Sequence, residues 1–214
     1  MSSHKSRLSE FQAQATKHGC VWVIGPLAQN APAPHLLTQA AVMAIDGGVD
    51  ALPPQQVHYS VGDGDSAKSS ANLDELLSIN KDTSDLSIGL ERIPRAVKIV
   101  HLWGFSGARF DHELCNLGAI HQFLLNHQAK VILHTQRQTA LLAFPSGEHQ
   151  LEINGTFSLL SLQETHFTIT GDCHYPLLSP TLLGPLSAHG LSNIGQGKLS
   201  ITADGPFFCI QERL

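Results

Sequence analysis

Basic residues are scarce in this chain: 13 Lys and Arg stand against 18 Asp and Glu among 214 residues, a formal net charge of −5. No stripe of cations of the kind that duplex binding requires is present, which argues against nucleic acid as a partner. Long apolar runs are missing too. None approaches the roughly 20 residues needed to cross a bilayer, and Met1 to Gln12 is a polar mixture without the apolar centre of a secretory signal. The expectation is a soluble, cytoplasmic protein with no membrane partner. The four cysteines, Cys20, Cys115, Cys173 and Cys209, form no C-x-x-C pair. That argues against a zinc knuckle or a disulfide framework and predicts reduced, mostly buried thiols. The 13 histidines are scattered, with neither H-E-x-x-H nor a close H-x-H pair, and define no metal site by themselves.

What the chain does have is 42% hydrophobic residues, enough to bury a full core in one large domain or two modest ones. Its first two thirds alternate apolar, β-branched runs with amphipathic stretches, the pattern of βα units around a parallel sheet. Strands are predicted at Val21 to Ile24, Val42 to Ile45, Val97 to Trp103 and Val131 to His134, with a less regular one at Val57 to Val61. Helical spacing runs through Leu8 to His18, Asn72 to Ile79, Ser84 to Arg92 and His112 to His127. After about Gln136 the texture changes. Asn154-Gly155 reads as a hairpin turn between Leu151–Ile153 and Thr156–Leu162, and Asp204-Gly205 as a second one between Lys198–Ala203 and Phe207–Gln211. The expected fold is therefore an N-terminal α/β domain with a mostly parallel sheet, residues 1–140, followed by an all-β C-terminal sandwich, residues 141–214. A strand at Ala140 to Phe144 fits either side of that boundary.

Four acidic or glycine-rich clusters fall at predicted strand ends or helix starts, where open α/β sheets place their ligands. Asp46-Gly47-Gly48 follows a strand. Paired glycines let backbone N–H groups approach phosphate and Asp46 can reach a metal, although D-G-G also serves as a plain turn. Gly62-Asp63-Gly64-Asp65-Ser66 puts two carboxylates on one loop, which suits a Mg²⁺–nucleotide complex; a solvated acidic turn is the other reading. In Lys81-Asp82-Thr83-Ser84-Asp85, Asp82 or Thr83 is a candidate N-cap with Asp85 in the first turn, or the cluster handles a phosphate and its metal. Gly104-Phe105-Ser106-Gly107-Ala108-Arg109-Phe110-Asp111-His112 opens a helix that carries Asn116. There Arg109 offers a fork of donors to phosphate, Asp111 is a possible cap, and His112 either packs or binds a neighbouring loop.

In order and spacing the four clusters resemble the thiamin pyrophosphokinase family, whose pattern runs A-D-G-G, G-D-x-D-S, D-x-x-D and G-x-x-G-x-R-x-D-H with a downstream Asn. The match extends from Asp46 to Asn116. The resemblance implies transfer of diphosphate from ATP to the hydroxyl of thiamin at a Mg²⁺ site, in a homodimer whose sites lie between subunits. It assigns Asp63, Asp65 and Asp85 to the metal with Asp46 beside them. Gly47, Gly48, Asp82, Gly104, Gly107, Arg109 and His112 fall to the nucleotide, Arg109 and Asp111 to the chemistry, and Tyr175, Ser192, Asn193 and Asn116 to thiamin. Departures are Ile45 for the family's Ala, Val49-Asp50-Ala51 where a basic residue commonly follows, His58 for an Asp, and Ala108 for a Gly. Two alternatives remain at this stage: a pyrophosphokinase acting on a hydroxymethylpterin, and a homologue that binds thiamin or nucleotide without catalysis.

Overall fold

The computed structural model describes residues 2–66, 73–135 and 139–212. An opening helix, α1 (Ser2–His18), leads into β1 (Cys20–Ile24), a short helix α2 (Pro34–Leu37), β2 (Ala41–Ile45), a 3₁₀ turn over Asp46–Ala51, β3 (Tyr59–Gly62) and β4 (Glu75–Leu76). Next come α3 (Asp85–Glu91), β5 (Ile99–Trp103), α4 (Phe110–Asn126) and β6 (Lys130–His134). Six strands complete the chain: β7 (Thr139–Phe144), β8 (Gly147–Leu160), β9 (Thr165–Cys173), β10 (Leu177–Leu183), β11 (Asn193–Ala203) and β12 (Phe207–Glu212).

Strands β1 and β2 are apolar at every position because both faces of the sheet are covered there. On β2, Ala41, Met43 and Ile45 join a core with Phe11 and Ala15 of α1 and Leu86 and Leu90 of α3. Val42 and Ala44 point the other way, against Trp22, Ile24, Leu37 and Leu52. Parallel pairing gives the order β6-β5-β1-β2-β3-β4. The chain runs outward from β1 to β4 on one side and then resumes at β5 on the other. The connections after β1 and β5 therefore diverge, leaving a crevice at the carboxyl ends of those strands, where such sheets bind ligands.

The C-terminal strands continue the same sheet rather than forming a separate sandwich. β7 pairs antiparallel with β6, from Val131↔Ala143 to His134↔Ala140, and the row proceeds β12-β8-β11-β9-β10 to give one mixed sheet of twelve described strands. The physical reason is that the edge of β6 carries free backbone groups, and β7 satisfies them. The expected sandwich core nevertheless has a counterpart. Phe167 of β9 and Phe207 of β12 stand three strands apart in the row, about 14 Å if the sheet were flat, yet their rings are 5.5 Å apart. The row must fold back on itself, enclosing Phe144, Ile153, Phe157, Leu199 and Ile201.

Other expectations need correction. Asn72 and Gln136 lie outside the described residues, but Asn72–Ile79 is not a helix, since Glu75–Leu76 forms a parallel strand beside Val61 and Gly62. Asn154-Gly155 makes no turn: β8 runs straight through it, with Gly155 opposite Gly195 of β11. A φ of +115° at Gly155 accommodates the distortion within the strand. Asp204-Gly205 does separate two strands, but these are not partners, because β8 lies between β11 and β12. Among the thiols only Cys209 is fully buried; Cys115 is exposed and Cys20 and Cys173 are intermediate. No helix among the described residues is long and apolar enough to cross a membrane.

Candidate functional site

The acidic clusters meet at the carboxyl ends of β2 and β3. Asp46 is 6% exposed and takes a positive φ of 48°, a conformation that costs a non-glycine residue energy and is held by its surroundings. Its Oδ1 accepts the Gly64 N–H at 2.9 Å, which ties the end of β2 to the loop after β3. The approach is close enough to require glycine next door: a Cβ at Gly62 would lie 2.1 Å from Asp46 Oδ1. Carboxylate oxygens of Asp46, Asp63 and Asp65 come within 4.8 Å of one another. Asp63 Oδ1 accepts the Asp65 N–H at 3.2 Å and its Oδ2 accepts from Lys81 Nζ at 2.6 Å. Lys81 Nζ also lies 3.1 Å from Asp85 Oδ1, an ion-pair contact without hydrogen-bond geometry.

Burial, aided by the charges of Asp85, Asp63 and Asp65, outweighs the Gly64 hydrogen bond and raises Asp46 to about 6. Burial raises Asp85 as well, whereas the Lys81 hydrogen bond holds Asp63 below the usual carboxylate range. Crowded acids of this kind are relieved by a cation. The donors are all hard oxygens, gathered from the turn after β2, the glycine-bearing loop after β3 and the start of α3, and the buried Asp85 Oδ1 has only its ion-pair contact with Lys81, so the set fits a small divalent ion such as Mg²⁺.

A cleft of about 560 Å³ opens beside the acids. Asp46, Asp65, Lys81 and Asp85 line one side; Gly104, Arg109, His112 and Asn116 line the other, with Pro26 and Leu27 from the connection after β1. Gly104 holds a φ of +81° beneath this rim, and Asn116 Nδ2 donates to Phe105 O at 3.0 Å, bracing the loop against α4. Arg109 donates to both oxygens of Asp111, at 3.2 and 2.6 Å, and both side chains are well exposed. That pairing lowers Asp111 to about 2. Asp111 does not cap α4; it lies in the first turn and accepts the His112 N–H at 3.0 Å. The cap of α3 is Ser84, whose side chain accepts from Ser87 N, not Asp82 or Thr83.

Several expected residues lie away from the cleft lining. Gly47 donates its N–H to Ser66 Oγ at 3.1 Å, and Gly48 packs so closely on β1 that a Cβ would meet Ile24 O. Gly107 donates to Glu113 Oε1 at 2.7 Å. Asp82 is exposed and outside the lining. Tyr175, Ser192 and Asn193 lie among the C-terminal strands, none of them on the cleft of their own chain. Asn193 clamps the backbone of Tyr175, accepting from its N–H at 3.1 Å and donating to its carbonyl at 2.8 Å, while the Tyr175 ring is 65% exposed. The contact that sequence reasoning missed is Lys81. Its position just before D-x-x-D was visible, but its pairing with Asp63, 18 residues away, was not.

Fold and site together describe a mixed α/β chain with an acidic cleft at the carboxyl ends of its parallel strands. No family model and no curated protein matches the sequence. Solved structures do. Thiamine pyrophosphokinase from Bacillus subtilis superposes with a TM-score of 0.65 at 21% identity, covering 91% of this chain and 99% of that one. Thiamin pyrophosphokinase from Candida albicans gives 0.65 at 14% identity over 94% and 90%, and that from Geobacillus thermodenitrificans 0.64 at 21% over 91% and 98%. The chain has a thiamin-pyrophosphokinase-like fold.

Proposed function

We propose that this chain is a member of the thiamin pyrophosphokinase family, a cytoplasmic enzyme that transfers diphosphate from ATP to thiamin, giving thiamin diphosphate and AMP. The observation that carries the reading is the convergence of Asp46, Asp63 and Asp65 within 4.8 Å beside the cleft that also holds Lys81, Asp85 and Arg109. Asp63, Asp65 and Asp85, with Asp46, would hold Mg²⁺, which when bound supplies charge neutralisation and alignment for polyphosphate oxygens. The thiamin oxygen forms a bond to the β-phosphorus, the bond from that phosphorus to the α-phosphate bridging oxygen breaks, and the hydroxyl proton passes to a carboxylate and on to solvent. Such a step needs positioning and charge balance more than covalent help. Arg109, presented by the loop after β5 and steadied by Asp111, opposes the charge that spreads over the moving group. Gly104 and His112 shape the same wall, and Asn116 keeps it in place.

The thiamin side rests on the C-terminal strands, residues 141–214, which we assign to acceptor binding while residues 1–140 handle nucleotide and metal. Tyr175 presents an exposed ring held by Asn193, with Ser192 beside it at a φ of +57°. Leu178, Leu182, Leu186 and Leu191, in the stretch of chain between Tyr175 and Ser192, are exposed, apolar surface of the kind a second copy covers. We infer a homodimer in which the Tyr175 face of one chain completes the cleft of its partner. The test is to combine protein, Mg²⁺, ATP and thiamin and weigh the products. AMP with thiamin diphosphate is expected; ADP with thiamin monophosphate overturns diphosphate transfer, and turnover of a hydroxymethylpterin in preference to thiamin overturns the acceptor.

A further inference from the structure

Lys81 pairs with Asp63 and Asp85, and it lines the cleft whereas Asp63 does not. Its Nζ is 2.6 Å from Asp63 Oδ2 and 3.1 Å from Asp85 Oδ1. The remaining oxygen of Asp63 accepts the Asp65 N–H, so both oxygens of that carboxylate already have donors. An ammonium group therefore already stands at one oxygen of a carboxylate that the metal reading gives to the cation.

We propose that Lys81 is a positioning residue that occupies Asp63 and Asp85 before the cation binds, yields Asp63 to the cation, and then meets the polyphosphate. The inference rests on the metal reading above. An ammonium is a compact charge on a flexible stem with three donors, able to change partners by rotation about its side-chain torsions. Lysine serves phosphates as a point charge. Asp63 and Asp85 hold Lys81 only while their charge is free to do so; once the cation shares that charge, the better partner for Nζ is the polyphosphate in the cleft. The same side chain thus opposes binding of the metal alone and favours binding of the metal with a polyphosphate. This makes occupation of the site conditional on both.

The experiment titrates Mn²⁺ alone into the wild-type chain and Lys81→Gln, reading free Mn²⁺ by electron paramagnetic resonance, and then titrates inorganic triphosphate into each protein saturated with Mn²⁺. Removing the ammonium is expected to tighten Mn²⁺ binding on the order of tenfold and to weaken triphosphate binding on the order of tenfold. A structural role for Lys81 would weaken both together. If Lys81→Gln fails to fold, Lys81→Met carries the same two measurements. A wild type that binds Mn²⁺ while the variant binds it no tighter, or binds triphosphate equally well, overturns the Lys81 inference alone. A wild type that binds no Mn²⁺ overturns the metal reading and the inference with it.

Discussion

Asp46 is held where burial opposes its own charge, and this has a measurable sign. An acid raised to about 6 favours its protonated form in the folded chain. Relative to an ordinary carboxylate near 4, it contributes stability that is complete below about pH 4 and lost as pH rises to about 6. Asp63 and Asp111 behave oppositely, since Lys81 and Arg109 hold them low; their contribution is present above the ordinary carboxylate range and lost only at lower pH. His101 and His121 are lowered by burial, so the comparison must be made against a variant that shares them. In chelator, the melting temperature of Asp46→Asn minus that of wild type is expected to grow from pH 4.5 to 6.5, because only wild type loses the Asp46 contribution. A difference that stays constant would show that Asp46 ionises normally. Asparagine keeps the Oδ1 acceptor for Gly64, so the loop contact survives the change. At Asp63 the prediction concerns rate. Asp63→Asn should cost about 3 kcal/mol of transition-state stabilisation, on the order of a hundredfold in kcat/KM measured by AMP release. Near-normal turnover would remove Asp63 from the site.

Elements decide whether these residues meet. Helix α3 is only seven residues long and presents Asp85 at its first position, so its start depends on the Ser84 side chain accepting Ser87 N at 3.1 Å. Ser84→Ala is expected to lower stability by about 1 kcal/mol in urea unfolding; an unchanged midpoint would mean that Lys81 and the core contacts of Leu86 and Leu90 set the helix start instead. The same scale shows why part of the fold was legible. Strands β1 and β2, buried on both faces, announce themselves as unbroken apolar runs, and the Asp and Gly residues that follow β2 and β3 mark where those strands stop. Pairing was not legible. Asn154-Gly155 has the composition of a turn, and only its register opposite Gly195 shows that β8 passes through it. Likewise Asp204-Gly205 turns the chain, but the 14-residue β8 takes the place between the two strands it joins. Local residues fix conformation; which strand fills a neighbouring row depends on contacts far along the chain. The candidate site divides in the same way. Its carboxylates could be read because their type and spacing carry the chemistry, while the Lys81 to Asp63 bond joins two loops that the sequence leaves separate.

At the scale of the whole molecule, the proposed site residues lie in two places. The acids and Arg109 flank a cleft at the ends of the parallel strands, whereas Tyr175 and Asn193 sit far along the row, where the sheet has folded back on itself. A single chain does not bring the two groups onto one cleft. If two copies associate about a two-fold axis, each supplies the half that the other lacks, twice over. This arrangement predicts complementation. Asp63→Asn disables the cleft half, and Tyr175→Ala disables the acceptor half while leaving the Asn193 clamp on the backbone intact. Each variant alone should be nearly inactive at limiting thiamin. After unfolding and refolding in an equal mixture, half the dimers are mixed. Each mixed dimer carries one site with both defects and one with neither, so activity should recover to roughly one quarter of wild type. If both halves of a site came from one chain, every site in the mixture would keep its single defect and no activity would return. Equal recovery without co-refolding would indicate subunit exchange, which a dilution series over protein concentration reveals as a midpoint at the dimer dissociation constant.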